Sequence, residues 1–252
     1  MHYEFVPGDE IVLAPGRTLK RIRAVVAITA FGVTPGQLGG YVENGKNLSG
    51  NAWVSGNAWV YGDAQVYGNA QVYGDARVSG NARVYGNAWV YGNAQVYGNA
   101  WVYGDAQVYG DARVSGDAQV YGDARVYGDA QVYGDARVYG NAWVYGDAWV
   151  YGDARVYGNA QVYGDARVYG NGLIFWASKV GTANGTFTAY NTKDNSIEIT
   201  RGCFQGSIDE FLSKSEADHD DQTHLEYRLL VEVAYSRITR ARVSTNIQEA
   251  KQ

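Results

Sequence analysis

The side chains able to do chemistry fall into two regions of the chain. Through the middle, Trp, Arg or Gln recurs at every sixth residue beside an Asp or Asn, as in Asn57-Ala58-Trp59-Val60-Tyr61-Gly62. Further on, Asp218-His219-Asp220-Asp221 with His224 is the one cluster of metal-capable side chains, and Cys203 is the only thiol. Six successive acids of the repeat, Asp105, Asp111, Asp117, Asp123, Asp129 and Asp135, would offer hard oxygen ligands to a cation. Asn freely takes the same slot, however, and calcium-binding β-rolls repeat on a nonapeptide rather than a hexapeptide. The acids therefore read as corner residues that bond their own backbone. The His219 cluster lies between two predicted helices and reads as a solvated loop. Cys203 has no neighbouring base to activate it and reads as a buried structural thiol. The glycines recur without a following Lys-Ser/Thr, so no phosphate loop is present. No catalytic residue, metal or cofactor is expected from these patterns.

The elements that position these residues follow from the period. An aliphatic residue stands at Val42, Leu48 and Val54, then at every sixth place through Val168 to Ile174, 23 positions without a slip. A fixed short period signals a stacked solenoid. Within a hexad, Ala58 and Val60 point one way along a strand while Trp59 and Tyr61 point the other. The small apolar pair belongs inside and the bulky pair outside. Gly62 and Asp63 then turn a tight corner, because Gly accepts positive φ. Three such hexads close one triangular coil, and coils stack by parallel pairing. About seven coils at ~4.8 Å give a prism roughly 35 Å long.

The aliphatic residue followed four places later by a small one, as in Val60 and Ala64, resembles the hexapeptide repeat of left-handed parallel β-helices over residues 42–174. The phrases Arg21-Ile22-Arg23-Ala24, Gly39-Gly40-Tyr41-Val42-Glu43 and Asn47-Leu48-Ser49 resemble the opening of bacterial and prophage hexapeptide proteins of the acetyltransferase-like type. That resemblance implies an all-β, left-handed β-helix, assembly as a homotrimer, and a phage or prophage source. It also raises acyl transfer from acyl-CoA, for which such enzymes place a His as general base between subunits and extrude a loop from one coil. Residues 42–174 hold neither a His nor a longer connection, so the fold favours that activity and the site opposes it.

Composition sets further bounds. The 252-residue chain carries a net charge of -5, so the basic footprint of a nucleic-acid binder is missing. A single cysteine excludes an internal disulfide framework and fits a reducing compartment. No apolar run reaches the ~20 residues of a membrane span, and the N-terminus lacks a signal-peptide core. A cytoplasmic protein with no membrane partner is the expectation.

Four segments result. Residues 1–41 form an N-terminal β cap, with strands at 10–13 and 19–28 and turns at Pro7-Gly8, Pro15-Gly16 and Pro35-Gly36. Residues 42–174 form the β-helix. Residues 175–243 form a small α+β module, whose Gly202-Cys203-Phe204 entry and following helix pair resemble the C-terminal module of phage-type hexapeptide proteins. Here Ser207 with Glu210 makes one capping box, and Thr223 with Glu226 a second. Leu225, Leu229, Leu230 and Val233 mark the buried face of a helix over 224–238. Residues 244–252 read as a frayed tail.

The repeat's outward positions carry Trp, Tyr and Arg on every side, the residue types enriched at binding hot spots. So much aromatic surface predicts self-association about a three-fold axis, as the resemblance also implies. Partner or ligand contacts are expected at Trp59, Trp89, Trp101, Trp143, Trp149 and Arg137. The function read from the sequence is a non-catalytic, trimeric binding or scaffold protein. Its alternatives are capture of a host nucleotide signal or host immune protein in clefts between subunits, and acyl transfer.

Overall fold

The alternation of inward Ala and Val against outward Trp, Arg, Gln and Tyr closes the chain into stacked coils. The computed structural model describes residues 2–164, 166–169, 173–192 and 194–249. Each coil contributes one short strand to each of three parallel sheets, and partners such as Trp89 and Gln107 stand three hexads apart. The result is a parallel β-solenoid of about seven turns. Every inward Ala and Val from Ala52 to Val168 is fully buried. A fully buried Val contributes about 1.5–3 kcal/mol over an exposed one, so the thin core gains stability coil by coil.

Corners are fixed twice over by glycine. Gly110 has φ +69, and a Cβ there would lie 2.9 Å from the Gly128 nitrogen one coil on. The conformation and the stacking distance both exclude a side chain. Asn at the following position is not equivalent to Asp. Asn51 donates to Asn69, Asn69 to Asn87, and Asn87 to Asp105, at 3.2, 3.2 and 3.0 Å. Where the register places Asp111, Asp129 and Asp147 in one column, neither carboxylate of a pair brings a donor. Outside the prism the tyrosines stack ring on ring, with centroids 4.7 Å apart at Tyr109 and Tyr127. Stacking covers much of the aromatic surface, so the exposure expected from composition is largely internal to the ladders. Trp53, an outward position, is buried outright, with the His2 ring of the N-terminal cap 6.2 Å from its own.

That cap is an antiparallel hairpin, β1 (Tyr3–Ala14) and β2 (Arg17–Ala24), leading to β3 (Leu38–Val42), which starts the parallel stack. Pro7-Gly8 is not a turn between strands. It lies in a bulge of β1, between the pairs Phe5–Ile22 and Glu10–Lys20. The bulge brings Asp9 to the Tyr41 hydroxyl, which donates to it at 3.0 Å. The first coil also seals its open backbone with side chains. Glu43 accepts from the Gly62 N–H at 2.6 Å, and Asn47 donates to the Gly62 and Ala64 carbonyls at 2.9 and 2.8 Å. These groups would otherwise face a missing coil. Gly39 and Gly40 lie so close to the next strand that a Cβ would sit 2.6 Å from the Val54 and Ala58 carbonyl oxygens.

At the other end a four-stranded antiparallel sheet (Ile174–Val180, Gly185–Asn191, Ile197–Arg201, Phe204–Ser207) closes the last coil. Thr188 accepts from the Gln161 N–H at 3.3 Å and Thr200 donates to the Gln161 carbonyl at 3.4 Å, standing in for the next coil. Helix α1 (Ile208–Asp218) opens on the expected Ser207–Glu210 capping box. Helix α2 (Asp221–Glu249) begins earlier and ends later than the spacing predicts. Its cap is Asp220, whose carboxylate accepts from the Thr223 N–H at 2.7 Å, so Thr223 lies inside the first turn. Residues 250–252 of the expected tail lie outside the described residues.

The buried face of α2 also differs from the expectation. Tyr227, Val231, Ala234 and Ile238 pack on Phe187, Ile199 and Phe211, whereas Leu225, Leu229 and Val233 stay 43, 51 and 43% exposed. Both faces repeat at helical spacing, and the buried one is the richer in aromatic contacts, with Tyr227 edge-on to Phe211 at 5.2 Å. Cys203 is exposed rather than buried, because it sits on the tight hairpin turn after Gly202, whose φ is +60.

Candidate functional site

The six outward residues singled out in the sequence are not brought together. Trp59 and Trp149 lie five coils apart on one sheet, Trp89 and Trp143 on the second, and Trp101 and Arg137 on the third. Four of the five tryptophans already carry a guanidinium from an adjacent coil. Arg77 lies over Trp59 at 4.4 Å, Arg83 over Trp101 at 5.2 Å, Arg125 over Trp143 at 5.0 Å and Arg167 over Trp149 at 4.3 Å. Such pairs are worth about 0.5–1 kcal/mol each at exposed positions and lock the ladder. Trp89, between Gln71 and Gln107 and 40% exposed, has no such partner among the described residues.

Arg137 differs from the other ladder arginines. Its register neighbours are Gln119 and Arg155, so two arginines occupy adjacent rungs of one ladder with no Trp between them. No other pair of adjacent ladder positions is Arg on Arg. Both charges act on the Tyr139 phenol and oppose the upward shift that burial and the stacked Tyr121 and Tyr157 give it. Directly beyond them the solenoid meets the C-terminal module, and a cavity of about 440 Å³ opens there. Tyr139, Arg155, Tyr157, Phe175, Trp176 and Arg237 line it, together with Ile174. Trp176 closes the tyrosine ladder by meeting Tyr157 edge to face at 4.3 Å. Arg237, from α2, lies 5.6 Å over the Phe175 ring. No carboxylate lines the cavity, and neither Arg155 nor Arg237 is ion-paired among the described residues.

Tyr139, Tyr157 and Arg155 are legible in the sequence as repeat positions, and Phe175 and Trp176 as residues of a strand that follows the repeat, but nothing there joins them into one cavity. Arg237 left no trace, because sequence spacing does not say where α2 docks. The His219 cluster is dispersed into structural roles. Asp218 pairs with Lys214 at 2.8 Å, Asp220 caps α2, and His224 Nδ1 lies 3.1 Å from the Ser215 hydroxyl. Among the described residues, no three His, Cys, Asp or Glu side chains gather where a metal could be held. No helix among them is long and apolar enough to cross a membrane.

No curated protein matches the chain significantly. A family profile described as the YdcK Beta solenoid repeat matches residues 64–78, 70–83, 76–92, 94–107, 106–120, 118–134, 130–146 and 160–174. The matched segments all fall within the coils, and with the three-hexad parallel register they mark the chain as a repeat β-helix protein similar to that solenoid family.

Proposed function

We propose that this is a non-catalytic, homotrimeric scaffold or binding protein, a stiff solenoid that carries its α+β module at one end. The uniformity of the coils carries this reading. Among the described residues from Asn51 to Val168 the same register, glycine corner and inward Ala-Val pair recur, and no coil is set apart to hold a reacting group. A catalytic constellation needs several side chains converging on one point, and a ladder of like residues spreads them along an axis instead. Acyl transfer with a His general base fits this arrangement poorly. The resemblance of the opening and of the C-terminal module to prophage proteins supports a phage or prophage source. An exposed, unpaired Cys203 fits a reducing cytoplasm.

Self-association is assigned to α2 rather than to the prism faces, whose rings and guanidinium groups are largely occupied with one another. Leu225, Leu229 and Val233, at successive i, i+4 places, form an apolar stripe on the outer side of α2. Three copies of such a stripe can bury one another around an axis. The test is sedimentation velocity of the wild type beside Leu229→Glu/Val233→Glu. The reading expects a trimer that becomes a monomer of unchanged far-UV circular dichroism. A wild type that sediments as a monomer at micromolar concentration refutes it.

A further inference from the structure

The cavity where the last coil meets the C-terminal module combines two features not found together elsewhere among the described residues. Arg137 and Arg155 are stacked like charges in register, and Arg237 from α2 faces the same opening as Arg155. Like charges so placed repel unless an anion lies among them. The elements holding them are rigid on one side, a β-ladder, and docked on the other. Arg242 ties α2 to the sheet, donating to Asn191 at 2.6 Å and to the Ser196 carbonyl at 2.8 Å. The remaining walls are aromatic. Tyr139 and Tyr157 present the end of a stacked ladder, and Trp176 stands perpendicular to it. Guanidinium groups bind phosphate with paired donors, and π-faces receive planar rings. A volume of about 440 Å³ falls within the range of small-molecule sites.

We propose that this cavity binds a nucleotide-class ligand, with Arg155 and Arg237 holding the phosphate and Trp176, which caps the Tyr157 ring, receiving the base. The site lies within one chain, so it stands whether or not the protein is a trimer. Arg137, one coil below, adds its charge to the phosphate side without lining the cavity. The ladder explains why the site is at this end: further down, the rungs are about 4.8 Å apart and leave no room for a third ring between them.

The experiment is isothermal titration of the full chain with the four ribonucleoside 5′-monophosphates and with inorganic phosphate. Parallel titrations use Arg155→Gln, Arg237→Gln and, as a control, Arg113→Gln, whose ladder neighbours are Gln95 and Gln131. The proposal expects at least one nucleotide to bind more tightly than inorganic phosphate. Arg155→Gln and Arg237→Gln each weaken it tenfold or more, and Arg113→Gln leaves it unchanged. All three are exposed surface positions, and circular dichroism confirms their folding. Saturation with phosphate as tight as with any nucleotide overturns the base-stacking assignment. No binding by any of the probes at millimolar concentration, or binding indifferent to both arginines, overturns the proposal.

Discussion

Replacing Gly110 by Ala separates the two demands that a corner places on its residue. Gly110 has φ +69, and its hypothetical Cβ is 2.9 Å from a backbone nitrogen of the next coil. Gly32, in the N-terminal cap, has nearly the same φ of +66 with nothing within 4 Å of its Cβ position. Gly32→Ala therefore meets only the left-handed backbone penalty, about 1–2 kcal/mol. Gly110→Ala meets that penalty and also forces two coils apart where backbone faces backbone, with no flexible side chain to give way. Weakening the inter-coil contact at one corner raises its cost to about 3–4 kcal/mol, in the range of overpacked cores. Urea unfolding followed by tryptophan fluorescence measures both variants against the wild type. The expected result is a midpoint shift at least twice as large for Gly110→Ala. Equal shifts would mean that the corners tolerate a Cβ and that φ alone selects glycine, which would refute the stacking argument.

Asp129 stands between Asp111 and Asp147 in one corner column, so Asp129→Asn supplies a donor and removes a like-charge contact. Thermal unfolding should show a gain of about 1 kcal/mol, smaller at high salt; a loss of stability would contradict the ladder reading. Burial, reinforced by neighbouring rings and opposed by Arg125, pushes the Tyr127 phenol up to about 12. Tyr91 and Tyr145 are raised to about 12 mainly by burial as well. The unfolded phenols lose their protons near pH 10 while the folded ones keep theirs. Stability should therefore be full below pH 10 and fall as pH rises from 10 to 12. Stability that stays level between pH 10 and 12 would contradict this. Val120→Ala, at a fully buried rung, should cost about 2–3 kcal/mol in the same urea assay, and a shift under about 1 kcal/mol would indicate a collapsible core.

The coil was legible because its cause is local. A Gly with positive φ every six residues and an Ala-Val pair of period two leave little other choice of fold. The cap residues Gly39, Gly40, Glu43 and Asn47 stood out as a phrase, but only the structure gives their reason: close approach to the Val54 and Ala58 carbonyls, and cover for the backbone of Gly62. Where local patterns compete, the sequence misleads. On α2, two faces share the same spacing, and the choice between Leu229 and Val231 is made by the sheet beneath, not by the helix. At the helix start, Asp220 and Thr223 are both good caps, and the chain takes the earlier. The tryptophan positions were found, but their occupancy was not. Whether Trp143 is free or covered depends on Arg125, three hexads earlier in the chain, a pairing visible only once the register is known. The cavity joins Arg155 to Arg237, far apart in the chain, through the docking of α2, and no periodic pattern reports it.

Native mass spectrometry of the full chain, freshly purified, tests the central claim most directly, because it reads subunit number and any retained ligand together. The account predicts a single species at three times the 27.5 kDa chain mass. A species at the mass of one chain, stable across micromolar concentrations, would contradict it.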